Sequence, residues 1–316
     1  MEARTLELGR EALLRRIPPM QAGRPRWDPH VIGRSEGQRL IVEYALSDDA
    51  APQARPRTRL IAKFFSDGMG AHSFEVMRRV SAGLARLPGG PAVLAIPEAH
   101  FYDPDLRLLV QQRVEGTLYP DLVARRDFRA HMRRAGRALA CLHRIDASGE
   151  PARRMDEHVA ELMRPHPLRV AEEVPALRAR IEALVAALRA AEAGWPAVAP
   201  AWLHRDFHMS QLFHHRGRVW LIDWDLAAAG DPALDVGNFL IQVRKEIADG
   251  ARSEAGRAAF LEGYAQGGGP EVGSRPGVYE AFNCLRRACK RYRVRDGRWQ
   301  ERMNELVAAA ERCLAG

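Results

Sequence analysis

Two stretches near the start of the chain are rich in apolar and β-branched residues with polar ones between them, residues 39–46 (R-L-I-V-E-Y-A-L) and 58–65 (T-R-L-I-A-K-F-F). Both predict strands, and the proline- and aspartate-bearing link 47–57 makes them a hairpin with a long connection. The period then changes. Over residues 71–87, Phe74, Met77, Val80 and Leu84 recur at helical spacing, and Pro88-Gly89-Gly90-Pro91 ends the run. Strand character returns at 99–102 and 106–111 across the turn Asp103-Pro104-Asp105. These elements make a small, mostly antiparallel sheet with one helix packed on it.

From Pro120 onward the texture is Ala/Leu/Arg-rich and helical, with segments expected at 128–145, 167–193, 234–248, 253–266 and 278–293 and a last helix to Leu314. The expected class is therefore α+β and bilobal: a β-rich lobe over residues 1–112, then a larger helical lobe over 113–316. One stretch interrupts the helices. Residues 211–213 and 219–222 predict a short hairpin across Arg216-Gly217.

Composition narrows the setting. At 47% hydrophobic, the 316 residues can bury a sizeable core. Neither a membrane span nor a secretory signal is predicted, because Glu2, Arg4, Glu7 and Arg10 crowd the N-terminus and no run of about 18 apolar residues occurs. The expectation is a cytoplasmic protein with no membrane partner. The four cysteines lack C-x-x-C spacing, which gives neither a zinc site nor a disulfide framework. The charge of +8 is spread along the chain without an aromatic-interleaved basic module, so no nucleic-acid partner is expected. Only three of the 48 basic residues are lysines, Lys63, Lys245 and Lys290. In so arginine-rich a chain each lysine marks a place where a compact ammonium is wanted.

The chemistry concentrates between His204 and Asp225, which read H-R-D-F-H-M-S-Q-L-F-H-H-R-G-R-V-W-L-I-D-W-D. Phosphoryl transfer needs an oriented acceptor oxygen, a divalent metal and cations on the remaining phosphates. Asp206 is a carboxylate in a polar loop, suited to take the proton of a hydroxyl. Gln211 offers an amide oxygen, a hard ligand for Mg2+. Asp223 closes the second strand of the hairpin with an anionic oxygen. Lys63 shares a strand face with Ile61 and Phe65, where its ammonium would grip nucleotide phosphates, and Glu75 on the following helix is its expected ion-pair partner.

These motifs resemble those of the aminoglycoside phosphotransferase and choline kinase-like family, relatives of the protein kinases. That pattern is H-G-D-x-x-x-x-N, then I-D-W-E or I-D-F-D, then G-D-P-x-x-D-L-A. This chain has His204-Arg205-Asp206, Gln211, Ile222-Asp223-Trp224-Asp225 and Gly230-Asp231-Pro232-Ala233-Leu234-Asp235. The resemblance implies a protein-kinase-like fold, Asp206 as catalytic base, Gln211 and Asp223 on Mg2+, and Asp235 bracing the catalytic loop, with His204 as structural support. It also places the interlobe hinge, whose backbone reads the base of ATP or GTP, at Gln112, Arg113 and Val114. A phosphate-covering turn falls near residues 31–37, with Ser35 as a phosphate contact. Two positions depart from the pattern: Arg205 stands for glycine and Gln211 for asparagine. The glutamine form is similar to maltokinase-like branches of the family.

Two other classes fit parts of the sequence. A nucleotide-binding pseudokinase would carry every motif without turnover. A metal-dependent hydrolase would use His204, Asp206, His208, His214 and His215, but it needs further ligands at distant positions and leaves Lys63 unexplained. For the acceptor, residues 275–302 hold nine basic residues against three acidic ones. If this segment borders the acceptor site, it favours a neutral or anionic hydroxyl compound, such as a sugar, over an aminoglycoside.

Overall fold

The computed structural model describes residues 2–17, 25–35, 39–48 and 58–315. Five antiparallel strands form the first lobe, in the spatial order Pro25–Ser35, Arg39–Asp48, Arg59–Phe65, Leu108–Gln112 and Ala99–Asp103. Ile41 pairs with Lys63, and Lys63 pairs in turn with Leu109, so the lysine sits on the central strand. One face of this sheet is covered by the helix Glu2–Arg16, an element absent from the strand-and-turn reading of the first hundred residues. Ala12 and Leu13 of that helix pack with Trp27, Tyr44 and Leu60, and the Tyr44 hydroxyl donates to the Leu6 carbonyl at 2.8 Å. The helix is mostly polar, which is why apolar periodicity alone does not reveal it.

On the other face lies the helix Met69–Arg86, whose Val76, Met77, Val80 and Leu84 are buried. The same apolar cluster continues through Leu139, Leu142 and Ile145 to Phe207, Leu221 and Trp224. This helix is thus a shared wall between sheet and helical region. A second cluster closes the far side, where Tyr279, Phe282 and Leu285 meet Met303, Val307 and Ala310. The architecture is the bilobal α+β one. No helix among the described residues is long and apolar enough to cross a membrane.

The helical segment expected over residues 167–193 is three pieces: Pro167–Glu173, a 3-10 turn at Pro175–Leu177, and Arg178–Ala193. Pro175 lacks an N–H and pushes Val174 to φ −127°, ψ 76°, which ends the first helix. The hairpin inside the helical lobe pairs Leu212 with Leu221 and His215 with Arg218 around Arg216 and Gly217, both at positive φ. A left-handed pair at the two turn positions suits the twist of a two-residue hairpin loop.

Helices Phe128–His143 and Gly250–Gln266 approach closely at two glycines. A Cβ at Gly263 would overlap the Arg133 carbonyl oxygen, and one at Gly136 the Phe260 carbonyl. Gly263→Ala should therefore lower stability by about 1–3 kcal/mol through overpacking against backbone. Gly297→Ala, where a Cβ meets nothing, should stay within about 0.5 kcal/mol of the parent. Paired denaturant titrations check both, and equal midpoints would contradict this packing.

Candidate active site

Two cavities meet at Asp223. A cavity of about 640 Å3 opens between the lobes and is lined by Ile41, Ile61, Lys63, Val114, Gln211 and Asp223, among others. A second, of about 370 Å3, holds Asp206 and His208 with Asp223 and Asp225 on one side and Arg286, Arg287 and Lys290 on the other. Asp223 belongs to the walls of both.

The backbone brings Asp223 there by leaving the strand Arg218–Leu221 and turning through a left-handed conformation, φ 69°, ψ 67°. Its carboxylate receives Lys63 Nζ at 2.6 Å and Arg39 Nη1 at 3.2 Å. Asp225 receives Lys63 at 2.9 Å, Ser73 Oγ at 3.3 Å, and Arg39. Lys63 is only 4% exposed. Burial opposes its charge, but the two carboxylates outweigh that and raise its pKa above the ordinary lysine value. Asp223 shows the converse balance: burial raises its pKa, and Lys63 and Arg39 pull it well below the carboxylate range.

Glu75 is not the partner of Lys63. It sits on the outer side of its helix, pairing with Arg79 at 2.8 Å and Arg78 at 3.8 Å. Ser73 is the residue of that helix that faces the cluster. Two residues further along turn a helix by roughly 200°, so Glu75 points away, and Asp223 and Asp225 take the lysine instead.

Around Asp206 the loop is held from behind. Asp235 accepts the N–H groups of His204 at 2.6 Å and Arg205 at 2.7 Å, and His143, itself bonded to Tyr264, lies 3.4 Å from the same carboxylate. The His204 ring reaches the Ile222 carbonyl at 2.9 Å, joining the loop to the residue before Asp223. Arg205 adopts φ 63°, a left-handed conformation that glycine takes without strain. Its buried guanidinium pairs with Glu161 at 2.6 Å and reaches the Leu226 carbonyl at 3.3 Å. Asp206 itself meets Arg286 at 3.2 Å and His208 at 3.4 Å. Burial pushes its pKa up, but the His208 hydrogen bond and the Arg286 charge prevail and hold it well below the usual range.

Gln211 lies beside Asp223, with amide nitrogen and carboxylate 3.5 Å apart. A half-turn of the amide brings its oxygen to that side. The two side chains present adjacent hard oxygen donors, a set that fits Mg2+. At the expected hinge, the Gln112 N–H donates to the Glu98 carbonyl at 2.8 Å and the Arg113 N–H to the Arg59 carbonyl at 3.3 Å. The Arg113 side chain pairs with Glu43. Val114 lines the interlobe cavity, and its N–H has no partner among the described residues. The tip of the phosphate-covering turn, residues 36–38, lies outside the described residues, as does the Ser35 side chain.

Several site residues escape sequence reasoning. Arg39 opens a strand and carries no motif. Asp225 stands within the quoted I-D-W-D, yet its pairing with Lys63 has no sequence signal separate from that of Asp223. Arg286 is one of many arginines in the basic segment. The histidines of the hydrolase reading take separate partners: His204 the Ile222 carbonyl, His208 Asp206, and His214 the ring of His131 at 5.0 Å.

Among solved structures, a choline/ethanolamine kinase family protein from Mesorhizobium loti is similar over 99% of this chain and 95% of its own, at 18% identity and a TM-score of 0.65. A putative aminoglycoside phosphotransferase from Ralstonia eutropha is similar over 99% and 97%, at 18% identity and a TM-score of 0.67. An amicoumacin kinase in complex with AMP-PNP, Ca2+ and Ami matches over 91% and 88%, at 14% identity and a TM-score of 0.59. A search of curated protein sequences finds no match. The sequence itself matches the phosphotransferase enzyme family over residues 43–277, about three quarters of its length, and the chain belongs to that family.

Proposed function

We propose that this protein transfers the γ-phosphoryl group of ATP to a hydroxyl of a small molecule, with Asp206 as base and Mg2+ held by Asp223 and Gln211. The observation that carries the reading is the position of Asp223 in the wall shared by the two cavities. The interlobe cavity has the apolar walls and the free hinge N–H that a base requires, and Lys63 lines it beside Asp223, which Arg39 also reaches, as cations for the phosphates. The amicoumacin kinase of the same fold is in complex with AMP-PNP and Ca2+, a nucleotide and divalent ion of the kinds these groups suit. Bound at Asp223 and Gln211, Mg2+ would neutralise charge on the phosphates.

In this reading the acceptor occupies the smaller cavity. Asp206 stays ionised, accepts the hydrogen bond of the acceptor hydroxyl and takes its proton as the new P–O bond forms. The bond from the γ-phosphorus to the bridging oxygen breaks, and ADP leaves. Asn238 and Asn283 also line this cavity. Each donates its amide N–H inward to backbone, at 3.1 Å to Phe207 and 2.9 Å to Tyr279. Their carbonyl oxygens remain for further hydroxyls, which supports a sugar or related metabolite over a simple alcohol.

Asp206→Asn should lower kcat by about 10²- to 10⁴-fold while AMP-PNP affinity changes little; steady-state kinetics beside calorimetry separates the two, and full turnover would remove Asp206 from its role. Asp223→Ala should abolish Mg2+-dependent AMP-PNP binding in the same calorimeter. Unchanged metal dependence would place the ion elsewhere.

A further inference from the structure

The charges around the acceptor cavity do not cancel. Of its acidic residues, Asp223 and Asp225 are matched by Lys63 and Arg39, and Asp206 by Arg286. Glu161 is matched by Arg205 and by Arg153 at 2.9 Å. Asp67, on the sheet side, accepts the Met69 N–H at 3.0 Å. What remains on the helical side is Arg164, Arg287, Lys290 and Arg293, all in the cavity wall. None of the four has a carboxylate within ion-pairing distance among the described residues. Elsewhere in the same basic segment the arginines are paired: Arg275 with Asp231, Arg291 and Arg302 with Asp296, Arg298 with Glu301. Within that segment, lack of partners is therefore confined to Arg287, Lys290 and Arg293, which share the cavity wall with Asp206.

Neighbouring unpaired cations repel one another, and an anion between them relieves that cost. Burial and the neighbouring Arg293, Arg286 and Arg291 lower the Lys290 pKa despite the attraction of Asp206. Burial likewise lowers that of Arg287. A cationic acceptor entering here would add to the repulsion.

We propose that the acceptor carries an oxyanion, a phosphate ester or a carboxylate, in addition to the hydroxyl that is phosphorylated, and that Arg287, Lys290 and Arg293 bind it. This rests on the phosphotransferase reading above and names the substrate class for it. Helix geometry sets the size. Arg286, which touches Asp206, marks the reacting end; Lys290 and Arg293 follow on the helix Arg275–Val294 at about 6 and 10 Å along its axis. That separation of hydroxyl and anion is the span of a sugar phosphate or a sugar acid, and Asn238 and Asn283 lie in the same wall for the hydroxyls between.

The test uses protein saturated with AMP-PNP and Mg2+, so that added anions meet a filled nucleotide site. It is titrated with glucose 6-phosphate, glycerol 3-phosphate, glucuronate, glucose and glucosamine. The anionic sugars should bind more tightly than glucose, and glucosamine most weakly. Lys290→Glu and Arg293→Glu should each weaken anion binding by about tenfold or more, leaving AMP-PNP affinity unmoved. The ranking of glucose 6-phosphate against glucuronate tells which oxyanion the site prefers. Anions that bind no better than glucose, or charge reversals without effect, would overturn the inference while leaving the phosphotransferase reading intact. Protein that fails to take up AMP-PNP with Mg2+ would instead overturn the reading beneath it.

Discussion

The site depends on one charge cluster, in which the buried Lys63 ammonium lies between the carboxylates of Asp223 and Asp225, with Arg39 on their other side. An ammonium this deep is unfavourable by several kcal/mol unless paired, and removing one member of such a set leaves another charge stranded. The cations come from two adjacent strands of the sheet, and the carboxylates follow the hairpin of the helical lobe. Electrostatics therefore fixes the lobes against each other at the point where the phosphates of a nucleotide would lie. Asp223 holds a left-handed backbone conformation that costs on the order of 1 kcal/mol or more; the ion pairs offset it. The strain aims its carboxylate at Lys63 and beside Gln211, into the wall common to both cavities.

Asp235 performs the same service for Asp206 without touching the chemistry. By accepting two consecutive N–H groups, at 2.6 and 2.7 Å, it sets the peptide planes leading into Asp206. Arg205 then accepts the positive φ that glycine adopts freely, and its side chain supplies compensation by pairing with Glu161 and reaching Leu226. Arg286 closes the arrangement from the opposite direction, donating to the Arg205 carbonyl at 3.0 Å while it meets Asp206. Asp206, its loop and the helix that carries Arg286 are thus one hydrogen-bonded unit. Positioning of this kind, rather than covalent chemistry, is what phosphoryl transfer asks of a protein.

How much of this the sequence discloses follows from where each partner lies. Asp206, Gln211 and Asp223 are close along the chain and joined by a hairpin, so spacing and pattern suffice to group them. Lys63 is legible because its strand and its rarity single it out. Its partner is not: the choice between Glu75 and the two aspartates turns on the rotation of one helix, which shows Ser73 to the cluster and Glu75 to Arg78 and Arg79. Arg39 and Arg286 take their roles from residues 184 and 80 positions away in the chain, and no local pattern encodes such a pairing. The helix Glu2–Arg16 is similarly hidden, since its burial rests on small residues such as Gly9 and Ala12 against the sheet and not on a broad apolar stripe.

The two cavities differ in electrostatic character, and the difference is local. Where the two cavities meet, Lys63 and Arg39 balance Asp223 and Asp225 one for one, so the cluster is neutral. In the wall of the smaller cavity, Arg164, Arg287, Lys290 and Arg293 have no carboxylate partner among the described residues. The overall charge of +8 does not account for this, because most arginines of the basic segment outside the cavity have found carboxylates. A surface whose purpose was general solubility would leave its unpaired charges scattered. Here they line one cavity, and three of them, Arg287, Lys290 and Arg293, follow Arg286 along one helix. The asymmetry is therefore a property of this cavity, and under the proposed function it would give selectivity to the helix Arg275–Val294, and transfer to the loop that the helix touches through Arg286 and to the hairpin after it.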